Sequence, residues 1–336
     1  MDVYRNEIPA SKNVSDYAFY MTFFPHLVAG PIVRAKDFLP QIVSPQPINA
    51  ALYKESLLRI MSGLLKKLFI ADYIGKYVDI VHELPQNFSG AENLLAMYGY
   101  SFQIYFDFSG YSDIAIGIAL MLGYRLKENF DNPYTSTNVT VFWRKWHISL
   151  SSWLKDYIYI PLGGNRKGEF NTYVFLLITM LVGGFWHGAD WRFVFWGLAH
   201  GLALAFHKAW KQLFPKENHN PWIQIFSVAI TFHFVAFCWI FFRASSFGSA
   251  FASIEQIVFH TKWQDFTGFW VSRSEMGILL IVAAIIAFFP PKIKEKLFQE
   301  IQILPTFTWI LWMTIALQII IQFKDDVVQP FIYFQF

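Results

Sequence analysis

Thr172-Tyr173-Val174-Phe175-Leu176-Leu177-Ile178-Thr179-Met180-Leu181-Val182-Gly183-Gly184-Phe185-Trp186-His187-Gly188 is an apolar run without Asp, Glu, Lys or Arg that carries a histidine just before its end. From Thr172 to Phe185 it spans 185 − 172 + 1 = 14 residues. At about 1.5 Å per residue, those reach about 21 Å of a hydrocarbon core about 30 Å thick. The imidazole of His187 is therefore expected within the membrane, where a titratable group marks a functional site by default. A second histidine lies in Phe142-Trp143-Arg144-Lys145-Trp146-His147-Ile148-Ser149, 187 − 147 = 40 positions upstream and also beside tryptophan.

Composition supports a membrane reading. The 336 residues are 55% hydrophobic, 20% aromatic and only 15% charged, with a mean hydropathy of +0.34; soluble domains carry roughly 25% charged residues. Apolar runs recur along the whole chain and leave no stretch for a separate aqueous core, so residues 1–336 read as one all-α, multi-pass integral membrane domain. The net charge of +3 sits in short basic clusters between apolar runs, a pattern of membrane orientation and not of a nucleic-acid surface. The single cysteine, Cys238, lies in an apolar run, which excludes an intrachain disulfide and a cysteine-ligated metal. The N-terminus from Met1 to Glu7 lacks the basic and apolar regions of a cleavable signal peptide.

Tyr17 to Val33 contains Pro25, Gly30 and Pro31 and predicts a re-entrant or interfacial segment. Leu57 to Val81 predicts a tilted or interface-lying helix whose Lys66 and Lys67 snorkel toward headgroups. Leu94–Phe106 and Tyr111–Tyr124 predict two helices joined at Asp107-Phe108-Ser109-Gly110, a break at which Asp107 and Asp113 cap free backbone groups. Val141 to Ile160 carries Trp143, Trp146, His147, Leu150, Trp153, Leu154 and Tyr157 at helical spacing and predicts one amphipathic interfacial helix. A basic turn, Pro161 to Gly168, follows. Five apolar helices come next: Thr172–Phe185, Phe193–Phe206, Trp222–Phe242, Met276–Phe289 and Phe307–Phe323. Alternating crossings then collect Arg125, Lys127, Arg144, Lys145, Lys155, Arg166, Lys167, Lys208, Lys211, Lys216, Lys292, Lys294 and Lys296 on one side, read as cytoplasmic.

The motifs Asp107-Phe108-Ser109-Gly110-Tyr111-Ser112-Asp113, Asn129-Phe130-Asp131-Asn132-Pro133-Tyr134, Trp143 to Ser149, Tyr159-Ile160-Pro161-Leu162-Gly163-Gly164-Asn165 and Gly184 to Gly188, with Phe23 to Ile32 before them, resemble the membrane-bound O-acyltransferase superfamily. The likeness is to bacterial polysaccharide O-acetyltransferases of the alginate type. It implies helices around a central reaction tunnel, in the inner (cytoplasmic) membrane of a bacterium. It also implies several helices before Val28-Ala29-Gly30-Pro31, which here begins near Met1. His187 becomes the expected catalytic base and His147 a second residue of the tunnel. Trp146 and Trp186 are expected at the substrate, and Arg144 and Lys145 at the phosphates of the donor. The implied donor is acetyl-CoA, a substrate and not a bound cofactor, and no metal is implied. The implied partners are membrane lipids, a polysaccharide or peptidoglycan acceptor outside the cytoplasm and a separate extracytoplasmic acetyltransferase.

Other readings stay open. D-Alanyl transfer to teichoic acid is a close variant. A proton-coupled transporter would use Asp107, Asp113 and His187 as a relay, and a bis-histidine haem or metal protein would use His147 and His187. His233 is an intramembrane candidate, His200 and His207 share a helical face, and His26, His82, His219 and His260 have no evident partners.

Overall fold

A computed structural model of the chain describes residues 1–215, 220–323 and 329–332; Lys216 and His219 lie outside them. The described residues are helical, without strands. In order they form α1 (Val14–Thr22), α2 (Phe24–Leu27), α3 (Ala35–Val43), α4 (Ala50–Leu64), a π-helical turn at Leu65–Ala71, α5 (Asp72–Glu83) and α6 (Gly90–Met121). Then come α7 (Val139–Lys145), α8 (Ile148–Leu154), a second π-helical turn at Lys155–Tyr159, α9 (Ile160–Leu162), α10 (Glu169–His187), α11 (Trp191–Leu213) and α12 (Pro221–Arg243). The chain continues through α13 (Phe247–Phe259), α14 (Trp263–Ser272), α15 (Ser274–Ala287), α16 (Pro291–Ile303) and α17 (Thr306–Phe323).

The centre is α6, 32 residues long, which corresponds to about 48 Å. It starts with a capping box: the Ser89 hydroxyl accepts from the Glu92 amide at 3.3 Å and the Glu92 carboxylate accepts from the Ser89 amide at 3.1 Å. The expected break at Asp107-Phe108-Ser109-Gly110 does not form, and α6 runs through it. Gly110 serves packing instead. A Cβ there would stand 2.8 Å from the Gly63 carbonyl oxygen, so the bare backbones of α4 and α6 cross in contact. Asp107 and Asp113 consequently cap no helix break there; they pair with cations.

Those cations are the two lysines expected to snorkel. The π-helical turn sends them to opposite sides: Lys66 Nζ lies 2.5 Å from Asp113, and Lys67 Nζ lies 2.7 Å from Asp72 and 2.6 Å from Asp107. Buried cations need such partners, because desolvating a lone charge costs more than packing returns.

The interfacial helix expected from Val141 to Ile160 is broken where Trp146 and His147 leave helical geometry between α7 and α8. α10 exceeds its sequence expectation, with 19 residues or about 28 Å, and places His187 at its very end. The five apolar helices expected after the basic turn form as α10, α11, α12, α15 and α17. Of these, α10 and α12 are long and apolar enough to cross a membrane. The bent pairs α14–α15 (104°) and α16–α17 (120°) raise the count to four if each is one span. Exposed Ile223, Ile225, Phe226, Ile278, Ile281 and Leu311 give the outer surface an apolar character suited to lipid.

Candidate active site

His187 closes α10, and the chain returns through Gly188-Ala189-Asp190 into α11. Asp190 caps α11 by accepting from the Arg192 amide at 2.8 Å, and its carboxylate also takes Arg192 Nε at 2.9 Å and Nη2 at 2.7 Å. These bonds hold the Asp190 carboxyl below the usual carboxylate range. The hairpin is tight because a Cβ on Gly184 would meet the Phe193 carbonyl oxygen at 2.2 Å, and one on Gly197 the Met180 carbonyl oxygen at 2.3 Å. Glycine on both helices brings Trp196 onto His187, with ring centroids 5.2 Å apart and perpendicular. Phe242 of α12 closes another side at 5.0 Å and Trp186 a third at 5.0 Å. The catalytic candidate thus stands in a cage of aromatic rings contributed by α10, α11 and α12.

His147 enters from the opposite direction. Its backbone is left-handed (φ 43°, ψ 56°), a conformation in which histidine is enriched among non-glycine residues but which still carries a cost. The neighbouring loop over-determines that turn. Asn129 accepts at its carbonyl from the Ile148 amide at 2.9 Å, and its side-chain oxygen accepts from the Ser149 amide at 3.2 Å and hydroxyl at 2.9 Å. Asn129 Nδ2 donates to the Ser112 hydroxyl of α6 at 3.2 Å. The resulting position leaves His147 3% exposed, 4.6 Å from the Phe108 ring and 6.1 Å from Trp186. His147 and His187 therefore share Trp186 as a neighbour.

A third histidine backs the cage. His200 of α11 is fully buried, accepts at Nδ1 from Trp143 Nε1 at 3.3 Å and lies 4.9 Å from Trp196. Its Nδ1 is an acceptor, so the proton of the neutral ring belongs on Nε2. His207 meets the Thr140 hydroxyl at 2.8 Å and His233 meets the Tyr98 hydroxyl at 2.8 Å, each away from the cage.

Of the four side chains expected at the substrate, only Trp186 joins the two histidines. Trp146 is a core residue, packed at 5.1 Å on both Phe130 and Trp239. Arg144 and Lys145 diverge: Lys145 lies 3.9 Å from Asp131, while Arg144 lines a groove beside α8 and α10. Trp196, Phe242, Phe108 and Asn129 contribute to the site without having been singled out individually by sequence. The aromatics look like ordinary packing in an aromatic-rich chain, and Asn129 stood only as one residue of a loop motif. Among the described residues, no group of three histidine, cysteine, aspartate or glutamate side chains could hold a metal ion.

The arrangement supplies a half-buried imidazole walled by rings and a second imidazole two ring contacts away. A neutral imidazole in such a setting can accept a proton from a hydroxyl.

Comparison with known proteins adds the chemistry. The model of MBOAT, the membrane-bound O-acyltransferase family, matches residues 6–251. The chain is 42% identical over 293 residues to the probable alginate O-acetylase AlgI of Pseudomonas putida, covering 86% of this chain and 59% of that protein. It is 42% identical over 245 residues to a peptidoglycan O-acetyltransferase of Helicobacter pylori, covering 72% and 46%. It is 32% identical over 245 residues to a teichoic acid D-alanyltransferase of Bacillus subtilis, covering 68% and 61%. The chain thus spans less than two thirds of the length of these relatives.

Proposed function

The chain belongs to the membrane-bound O-acyltransferase family, and from that premise we propose that it passes an acetyl group from a cytoplasmic donor across the membrane to an acceptor hydroxyl, for O-acetylation of an extracytoplasmic polysaccharide or peptidoglycan. The observation that carries the reading is the aromatic cage holding His187 at the end of α10, with His147 across Trp186. His187 acts as general base. It takes the proton of the attacking hydroxyl while that oxygen bonds to the thioester carbonyl carbon; the carbon–sulfur bond breaks and the proton passes to the leaving thiolate. His147 orients the acceptor or the base from the other side of Trp186 within a reaction tunnel.

Acetyl-CoA is the proposed donor and a transient substrate. Arg144 and Lys145 place positive potential on the face that receives its phosphates; since they diverge, they act by attraction over distance and not as one clamp. A separate extracytoplasmic transferase is the proposed recipient of the acyl group, and the bacterial inner membrane the proposed location. Acetyl transfer is favoured over D-alanyl transfer because the identity is 42% to two O-acetylating relatives and 32% to the D-alanylating one.

The test is ester-linked acetate released by mild base from the envelope polymers of a deletion strain complemented with the wild-type or His187→Ala protein, at equal membrane levels. Restoration by wild type alone supports the reading. Restoration by both makes His187 structural, and release of D-alanine in place of acetate moves the activity to the teichoic acid branch.

A further inference from the structure

The geometry points to a site for an anionic phospholipid in the groove where α7, α8 and the following π-helical turn meet α10 and α11. This inference stands on the membrane placement of the chain and not on the transfer reaction.

The groove has a volume of about 360 Å³ and is walled by Ile148, Leu154, Leu176, Met180 and Leu204. Its polar groups are largely turned inward. The hydroxyls of Ser151, Ser152 and Thr179 donate to the carbonyls of Trp146, Ser149 and Phe175 at 3.1, 2.9 and 2.6 Å. The Thr140 hydroxyl meets His207, Trp143 Nε1 donates to His200, and the Tyr159 hydroxyl donates to Asn165 at 2.7 Å. A ligand lying there meets an apolar wall with few hydroxyl donors to spare, which suits a hydrocarbon chain and not an amide-bearing arm.

Two cations line this apolar wall, Arg144 and Lys155, and no carboxylate does. Arg144 has no acidic partner among the described residues. Lys155 lies 3.6 Å from Asp156, but that carboxylate is held more closely by Arg34 at 2.6 Å. Two cations over an apolar trough complement one phosphate headgroup and its acyl chain, the combination by which basic pockets between membrane helices hold anionic lipids.

The test uses the full chain in nanodiscs of equal phosphatidylcholine and phosphatidylglycerol, released into detergent and analysed by native mass spectrometry for retained lipid. Wild type is expected to retain phosphatidylglycerol over phosphatidylcholine. The double variant Arg144→Gln/Lys155→Gln is expected to lose about twenty-five-fold of that preference, two basic residues at about fivefold each. Leu176→Trp, which fills the trough and leaves both charges, is expected to lower retention as well, with gel filtration and helix content confirming both folds. Equal retention of the two lipids, or a preference unchanged in the double variant, overturns the inference. So does displacement of the lipid by inorganic phosphate or free coenzyme A together with indifference to Leu176→Trp, which makes the cations a phosphate site without a lipid trough.

Discussion

The indole of Trp186 stands between two imidazoles, 6.1 Å from that of His147 and 5.0 Å from that of His187, and meets both edge to face. Trp186 is about half exposed, so it can divide the pair without carrying the fold. The proposed mechanism assigns the two imidazoles different roles, a base that takes a proton at His187 and a second ring that orients at His147.

If His187 is the base, His187→Ala removes general-base catalysis outright, and acetate transfer falls by about 10²- to 10⁴-fold. Trp186→Ala keeps the base but frees both rings, so a smaller loss is expected, with membrane levels unchanged. Envelope acetate measured in complemented strains orders the two; a Trp186→Ala loss equal to that of His187→Ala contradicts the division of roles.

Asn129 determines where His147 points, because its side chain accepts from both the amide and the hydroxyl of Ser149. Asn129→Ala leaves those buried donors without an acceptor, at a cost of about 1–3 kcal/mol. Asn129→Asp keeps the acceptor. Thermal unfolding in detergent and acetate transfer are both expected to fall for the alanine variant and to recover in large part for the aspartate variant. Equal loss in the two variants shows that the acceptor is not what fixes the turn.

The sequence made legible what depends on type and local order: an all-helical membrane chain, the apolar helix ending at His187 and a turn before it, which starts at Gly163 and not at the expected Pro161 because α9 carries Pro161 and Leu162 in helical geometry. It did not make legible what depends on contact across the chain. Ser109-Gly110 reads as a helix break, yet Gly110 exists to admit the backbone of Gly63. Lys66 and Lys67 read as surface lysines because their partners, Asp113, Asp107 and Asp72, are assembled by packing and by a π-helical turn that local periodicity does not encode. The stripe through Trp146 and His147 reads as one helix face. The left-handed residue that divides it is fixed by Asn129 from another segment.

Gly184 and Gly183 are adjacent but unequal. A Cβ at Gly184 meets the carbonyl oxygen of Phe193 at 2.2 Å, whereas one at Gly183 meets only the Leu154 side-chain tip at 3.1 Å. Gly184→Ala is therefore expected to part α10 from α11, withdraw Trp196 from His187 and abolish transfer at a stability cost of about 1–3 kcal/mol. Gly183→Ala is expected to retain activity. The pair is compared by acetate transfer at matched expression, and the reverse ranking rejects the hairpin contact as the determinant.

Asp190 predicts a pH dependence. Its carboxyl is depressed by the bonds from Arg192, so its contribution is complete above the ordinary carboxylate value of about 3.9 and is lost only as pH falls through the lower folded value. Asp190→Ala is expected to cost about 1 kcal/mol as a lost helix cap. The gap between wild type and variant in thermal midpoint is expected to hold from neutral to mildly acidic pH and to close only in stronger acid. A gap that widens on acidification contradicts the assignment.

Lys67 offers the sharpest test of the interior. Its ammonium lies 2.6 Å from Asp107 and 2.7 Å from Asp72, with side-chain exposures of 18%, 3% and 7% for the three residues. The Ile332 amide adds a bond to Asp107 at 2.9 Å, tying residues 329–332 to the centre of α6. Removing one member of such a buried group costs about 3–5 kcal/mol, because the remaining charges lose compensation in a low-dielectric setting. Lys67→Met takes the shared cation from both carboxylates and is expected to show that loss in full, whereas Asp107→Asn leaves Asp72 against Lys67 and keeps an oxygen for Ile332, so it costs less. In the double variant Asp72 is the one carboxylate of the two that has lost the Lys67 cation, and stability is expected to recover part of the way from Lys67→Met. Unfolding midpoints of the four proteins in one detergent close the cycle; additive losses mean that Lys67 and Asp107 do not act on each other.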